Sequence, residues 1–205
     1  MPPKDILQNV SHETLEKLKT YQALLIKWQK AINLVSPKTI DEAWERHFLD
    51  SVQVSQFIGP FSKVIADIGS GAGFPGLVLS IMRPELEVHM IESDQRKCQF
   101  MRTVSRETEA SVNIHAERVE NMPDDFTPDC VTARALADLE KLLDFCAPWV
   151  LRNQALECVF LKGARSAEET EAALKNYEFE CVSHPSATDS QAAVLHLKNI
   201  KSRAQ

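Results

Sequence analysis

Four of the chain's six glycines fall within eight residues, in the stretch Asp67-Ile68-Gly69-Ser70-Gly71-Ala72-Gly73-Phe74-Pro75-Gly76. Glycine permits a positive φ and lets a ligand touch the backbone where a β-carbon would collide. A tight strand-to-helix turn without a ligand is the bland alternative, but four clustered glycines exceed its needs. The dinucleotide fingerprint is G-x-G-x-x-G, with a pyrophosphate on the helix N-terminus. Here Phe74 replaces the third fingerprint glycine, the spacing is G-x-G-x-G, and Asp67 stands two residues before the first glycine. A carboxylate beside the turn repels a diphosphate and suits a ligand with an ammonium group, as methionine has. Glu92 lies 19 residues after Gly73. At a strand end it can accept from both ribose hydroxyls; the lesser alternative is a solvated strand end, which the glycine turn disfavours further.

Other chemistry-bearing residues sit where the elements expected below would gather them. Arg134 follows the fourth expected strand and offers a planar fork of donors for an anion such as a phosphate. Its alternative is an ordinary ion pair. Lys162-Gly163 follows the fifth strand and opens on the same sheet edge. His47 and Asn33 come from the N-terminal region. His47 either closes over the site or is a satisfied residue of the helical layer, and Asn33 either contacts ligand or only ends a helix.

These residues need a scaffold. From Ser11 to about Phe57 the pattern is helical. Ser11 is the expected N-cap, Glu13 lies in the first turn, and Leu15, Leu18, Tyr21, Leu25, Trp28 and Ile32 form one apolar stripe. Asn33–Pro37 breaks it, and a second helix is expected from Ile40 to Phe57, stopped by Gly59-Pro60. Beyond Lys63, expected strands at 64–67, 87–92, 112–116, 130–133 and 156–161 alternate with helices at 76–82, 95–108, 136–150 and 167–176. Such alternation implies a parallel sheet covered on both faces. Two last strands, 179–183 and 193–198, have no helix between them and suggest a closing antiparallel hairpin. The expected fold is α/β and Rossmann-like, with an N-terminal helical cap (1–60) and a ligand-binding domain (61–205).

Composition narrows the partners. The 205 residues suffice for one well-buried α/β domain with an added element. Cys98, Cys130, Cys146, Cys158 and Cys181 are odd in number, scattered and without a C-x-x-C pair, which disfavours disulfides or a zinc site and fits a reducing compartment. Met1-Pro2-Pro3-Lys4-Asp5 lacks a signal-peptide core, and no apolar run spans a membrane. A cytoplasmic monomer is expected, with no metal. A net charge of −6 weighs against binding nucleic acid by bulk attraction, though a local basic patch can still do so.

The glycine stretch closely resembles that of the bacterial small-subunit (16S) ribosomal RNA guanine-N(7) methyltransferases, the glucose-inhibited division protein B family. The likeness continues through Leu77–Pro84, Glu92-Ser93, Arg96-Lys97, Ala116–Glu120, Ala133-Arg134-Ala135 and Leu161-Lys162-Gly163, and upstream in Asn33-Leu34-Val35 and Arg46–Ser51. It covers roughly residues 15 to 165. Glu92 stands where relatives often have Asp, and Ala72 where many have proline. The resemblance implies a class I methyltransferase fold with a mostly parallel seven-stranded sheet, S-adenosylmethionine as cofactor, and 16S ribosomal RNA or the small subunit as partner. It places cofactor contacts at Gly69, Phe74, Glu92, Val119, Glu120 and Arg134, to which the turn itself adds Asp67, Gly71 and Gly73. Arg134, Lys162 and His47 become the catalytic candidates. Arg96, Lys97, Arg118 and Arg165 are the RNA-binding candidates, with Arg102 and Arg106 beside them, against the alternative of a solvated helix face.

Two missing motifs fit the same chemistry. Exocyclic amine methylation commonly uses Asn/Asp-Pro-Pro-aromatic after the fourth strand, where this chain has Thr132-Ala133-Arg134-Ala135; cytosine-C5 methylation needs a nucleophilic cysteine, and no Pro-Cys pair occurs. A methyltransferase for a small molecule or protein, and a non-catalytic RNA-binding sensor of the cofactor, are the competing functions.

Overall fold

The computed structural model describes residues 3–203. Met1 and Pro2, the first residues of the N-terminus read above, lie outside the described residues. Strands β1 (Val64–Ile68), β2 (Glu87–Ile91), β3 (Val112–His115), β4 (Cys130–Arg134), β5 (Glu157–Lys162), β6 (Tyr177–Pro185) and β7 (Ala193–Ser202) form one sheet. Its order is β3-β2-β1-β4-β5-β7-β6. The first five strands are parallel, and β7 runs antiparallel to β5 and β6. The expected α/β sheet with a closing hairpin is therefore the one that forms. Its last two strands are longer than the apolar runs suggested, because the hairpin pairs Tyr177 with Ser202.

The helices are α1 (Pro3–Gln8), α2 (His12–Gln29), α3 (Asp50–Val52), α4 (Gly76–Met82), α5 (Gln95–Thr108), α6 (Leu139–Arg152) and α7 (Ser166–Ala173). One buried cluster joins Leu18, Tyr21 and Leu25 of α2 to Leu77 of α4 and Phe100 of α5. A second, on the other sheet face, gathers Leu142 and Trp149 of α6 and Ala173 of α7. The N-terminal helical layer thus shares a core with the sheet. Ser11 caps α2 as expected, its side chain accepting from the Thr14 N–H at 3.0 Å.

The expected helix from Ile40 to Phe57 is not continuous. Trp44–Leu49 is a π-turn, followed by the short α3 and a 3₁₀ turn at Gln53–Gln56. Hydroxyls compete with the ladder here: Ser51 donates to the His47 carbonyl at 2.7 Å and Ser55 to that of Val52 at 2.7 Å. Helix α6 starts three residues later than expected, where Asp138 caps it by accepting from the Lys141 N–H. Ala135 stands before it with φ at 53°, so residues 135–137 form a turn facing the sheet edge.

Strand order fixes where a ligand belongs. The chain leaves β1 toward β2 on one side and later returns to β4 on the other. Such a reversal opens a crevice at the carboxyl ends of the strands.

Candidate functional site

A cleft of about 1320 Å³ occupies that crevice. Its walls include Gly69, Gly71, Phe74, Glu92 and Arg134, with Val119 and Glu120 of the 3₁₀ turn after β3. His47, Lys162, Lys97, Arg118 and Arg165 also reach it, and so does Asn33.

The turn after β1 is built from below. Gly69, Gly71 and Gly73 all have positive φ. At Gly71 an added β-carbon would meet nothing nearer than the Gly69 carbonyl at 3.7 Å, so this backbone faces open cleft. Gly73 is different. A β-carbon there would overlap Leu77 and stand 2.8 Å from the Tyr21 hydroxyl. Gly73 does not line the cleft; its lack of a side chain makes room for packing.

Asp67 also sits under the turn rather than in the cleft. It is fully buried. One carboxylate oxygen accepts from the Thr132 hydroxyl at 2.9 Å and the other from the Gly76 N–H at 3.2 Å. Burial pushes its pKa up to about 6, against the pull of those bonds. The ammonium partner expected at Asp67 is thus a brace that ties the turn to β4 and to the start of α4. Spacing alone does not reveal this, because it does not say which way a strand-end carboxylate points.

A second brace comes from α2. The Tyr21 hydroxyl donates to the Ala72 carbonyl at 2.5 Å, while its ring stacks on Phe74 with centroids 5.1 Å apart. Tyr21 appeared in the sequence only as part of an apolar stripe. The available signal was the phenol itself, since a buried tyrosine hydroxyl needs a partner.

Glu92 lies at the end of β2 with both oxygens anchored. One accepts from the Gly71 N–H at 2.9 Å and the other from the Asp94 N–H at 2.8 Å. A carboxylate oxygen accepts more than one bond, so an anchored Glu92 remains able to take hydroxyls from the cleft.

Arg134 closes the opposite wall. Its Nη1 donates to the His47 imidazole at 2.8 Å and the Arg46 carbonyl at 3.2 Å, and lies 3.6 Å from Asp50. Its guanidinium carbon stands 4.8 Å from the centre of the Phe74 ring. Asp50 is itself held by the Thr188 hydroxyl at 2.9 Å and the Gln53 amide at 2.8 Å. Asp189, in the same β6–β7 loop as Thr188, pairs with Arg46 at 3.0 Å. Thr188 and Asp189 were not singled out in the sequence, and Asp50 only as part of the Arg46–Ser51 stretch; the long separations from Arg134 to Asp50, Asp50 to Thr188 and Arg46 to Asp189 hid these pairings.

The remaining candidates divide. Lys162 is buried, with its ammonium 2.5 Å from Glu169 and 2.6 Å from the Ala137 carbonyl, so it clasps the start of α6 to α7. Lys97, Arg118 and Arg165 ring the cleft without a salt bridge among the described residues. Arg96 does not line it and lies 3.8 Å from Asp94. Arg106 pairs with Glu107 at 2.9 Å on the exposed side of α5.

Fold and cleft together define a class I methyltransferase: a sheet with one reversed strand, a glycine turn after β1, an acid closing β2 and a ligand crevice at the switch point. The sequence settles which. It matches the rRNA small subunit methyltransferase G family over residues 14–198, and the chain belongs to that family. It is 45% identical to the Ribosomal RNA small subunit methyltransferase G of Paramagnetospirillum magneticum, covering 100% of both chains. To the protein of that name from Rhodospirillum centenum it is 47% identical, covering 95% of this chain and 88% of the relative. Among solved structures it resembles a mutant of MtNAS in complex with S-adenosylmethionine, with a TM-score of 0.60 at 15% identity, covering 96% of this chain and 82% of that one. No helix among the described residues is long and apolar enough to cross a membrane.

The cleft residues fit the cofactor of this class. Open backbone at Gly71 admits a close-lying ligand, Glu92 offers acceptors for a ribose, and Val119–Glu120 offers a backbone edge for an adenine.

Proposed function

We propose that this protein transfers a methyl group from S-adenosylmethionine to N7 of a guanine in 16S ribosomal RNA, as a cytoplasmic monomer. Glu92, the Gly69–Gly71 backbone and Val119–Glu120 hold the cofactor, and Arg134 reaches toward the reacting end. S-adenosylmethionine, when bound, supplies an electrophilic methyl group on a sulfonium.

One observation favours a ring nitrogen as acceptor. Among the described residues no cysteine lines the cleft, and its one imidazole, His47, has both nitrogens engaged, by Arg134 and by Thr39 at 2.9 Å. Neither a thiol nucleophile nor a free imidazole base is offered. Guanine N7 needs neither, because it presents a lone pair and no proton; the protein's part is to position and to tune the field. Arg134 provides donors for the O6 edge. Lys97, Arg118 and Arg165 neutralise phosphates around the mouth, which suits an RNA substrate for an acidic protein.

The test supplies methyl-labelled cofactor with deproteinised small-subunit RNA, intact small subunits or no RNA, taken from cells lacking the enzyme. Label recovered in 7-methylguanosine supports the proposal. Label in another nucleoside, or in none, rejects it.

A further inference from the structure

Arg134 is gripped through a single nitrogen. All its hydrogen bonds among the described residues come from Nη1, to His47 and to the Arg46 carbonyl. Among the described residues no sealed side-chain nitrogen or oxygen lacks a partner, so Nε and Nη2 are not sealed, and Arg134 lines the cleft. The π-turn at Trp44–Leu49 makes this grip, because it presents the Arg46 carbonyl and the His47 ring side by side. Such turns recur at functional sites.

The protons along this chain of contacts can be assigned. A guanidinium only donates, so Nδ1 of His47 must accept and carry no proton. The neutral ring then holds its proton on Nε2, which lies 2.9 Å from the Thr39 hydroxyl. That hydroxyl donates to the Ser36 carbonyl at 2.9 Å and keeps a lone pair for Nε2–H. Ser36, Thr39, His47 and Arg134 thus form one directed series, with every donor matched to an acceptor.

We infer that His47 is a positioning residue that aims the free edge of Arg134 into the cleft, and that Thr39 selects the one tautomer able to do so. It takes no proton from the substrate and gives none. Protonation of Nδ1 would set donor against donor. Burial, with Arg134 and Arg46 nearby, holds the His47 pKa down to about 3, so the neutral ring persists. Stacking on Phe74 at 5.4 Å fixes the ring plane. The inference rests on the proposed reading of Arg134 as a contact to cofactor or substrate.

The test compares Arg134→Ala, His47→Ala, His47→Asn and Thr39→Val by cofactor binding in calorimetry and by steady-state methylation of small subunits. Circular dichroism checks each fold. Asparagine places an amide oxygen near the position of Nδ1 and restores an acceptor without a titrating ring. Expected are a loss of tenfold or more in kcat/KM for His47→Ala, recovery to within about threefold for His47→Asn, and an intermediate loss for Thr39→Val. A folded His47→Asn as impaired as His47→Ala overturns the inference, since the imidazole itself would then matter. Wild-type kinetics for His47→Ala also overturn it while Arg134→Ala stays impaired. If Arg134→Ala itself behaves as wild type, the reading of Arg134 fails and takes the inference with it. Nitrogen-15 NMR of the free wild-type protein reads the tautomer without any activity: an unprotonated Nδ1 and a protonated Nε2 are expected, and the opposite assignment contradicts the series.

Discussion

Removing one oxygen from α2 should loosen a turn far away in sequence. In Tyr21→Phe the ring keeps its stacking on Phe74 and its edge contact with Phe48, at centroid distances of 5.1 and 4.9 Å. Only the bond to the Ala72 carbonyl disappears. Tyr21 is fully buried, so no water replaces the lost donor easily. An unpaired buried carbonyl costs about 1–3 kcal/mol. Ala72 lies between Gly71 and Gly73, both at positive φ, where the backbone has other conformations to relax into. Part of the loss should therefore reach the ligand face of the turn. If about 1.4 kcal/mol is transmitted, cofactor affinity falls about tenfold. Urea unfolding measures the first quantity and titration calorimetry the second. A variant as stable and as tight-binding as wild type refutes the brace, and lost stability with unchanged affinity refutes its link to the cofactor.

Three further outcomes follow from the same packing. Asp67 has its pKa raised to about 6 in the folded protein, against about 3.9 unfolded, so its favourable contribution is full below pH ~4 and is lost as pH rises through about 6. The stability gap between wild type and Asp67→Asn should shift against wild type by roughly 2 kcal/mol between pH 4 and 7; a gap constant across that range contradicts the assignment. Gly73→Ala forces a β-carbon onto Leu77 and the Tyr21 hydroxyl at a φ of 93°, and should cost more than the ~1–2 kcal/mol of a left-handed residue alone, visible as a lowered melting temperature. Lys162→Met strands the mostly buried Glu169 carboxylate and the Ala137 carbonyl. A loss of about 3–5 kcal/mol is expected in chemical denaturation, and a loss under 1 kcal/mol would show that the clasp contributes little.

The strands and the glycine turn were legible because they follow local rules. Val64–Ile68 and Cys130–Arg134 are buried on both faces and read as short apolar runs, and the clustered glycines mark a turn wherever it is met. Direction was not legible. Asp67 adjoins the turn in sequence, yet its side chain points beneath it, because β1 directs it toward Thr132 and Gly76. The stripe containing Tyr21 was visible, but its acceptor lies 51 residues away. The region from Ile40 to Phe57 has helical spacing throughout, and its π-turn carries bonds from Ser51 and Arg134 to its carbonyls that spacing does not show. Basic residues were equally ambiguous: Lys97, Arg118 and Arg165 face the cleft, whereas Arg96 and Arg106 sit beside acids on α5.

The cofactor is expected to lie against the open backbone of the glycine turn. Gly71 tests it most directly, because a side chain there would enter the cleft without striking the protein. Asparagine tolerates the left-handed conformation found at this position, φ 57°, so Gly71→Asn should fold with near-normal stability. Titration calorimetry with S-adenosylmethionine should then show binding weakened at least tenfold relative to wild type. A folded Gly71→Asn that binds the cofactor as tightly as wild type would place the cofactor away from this turn.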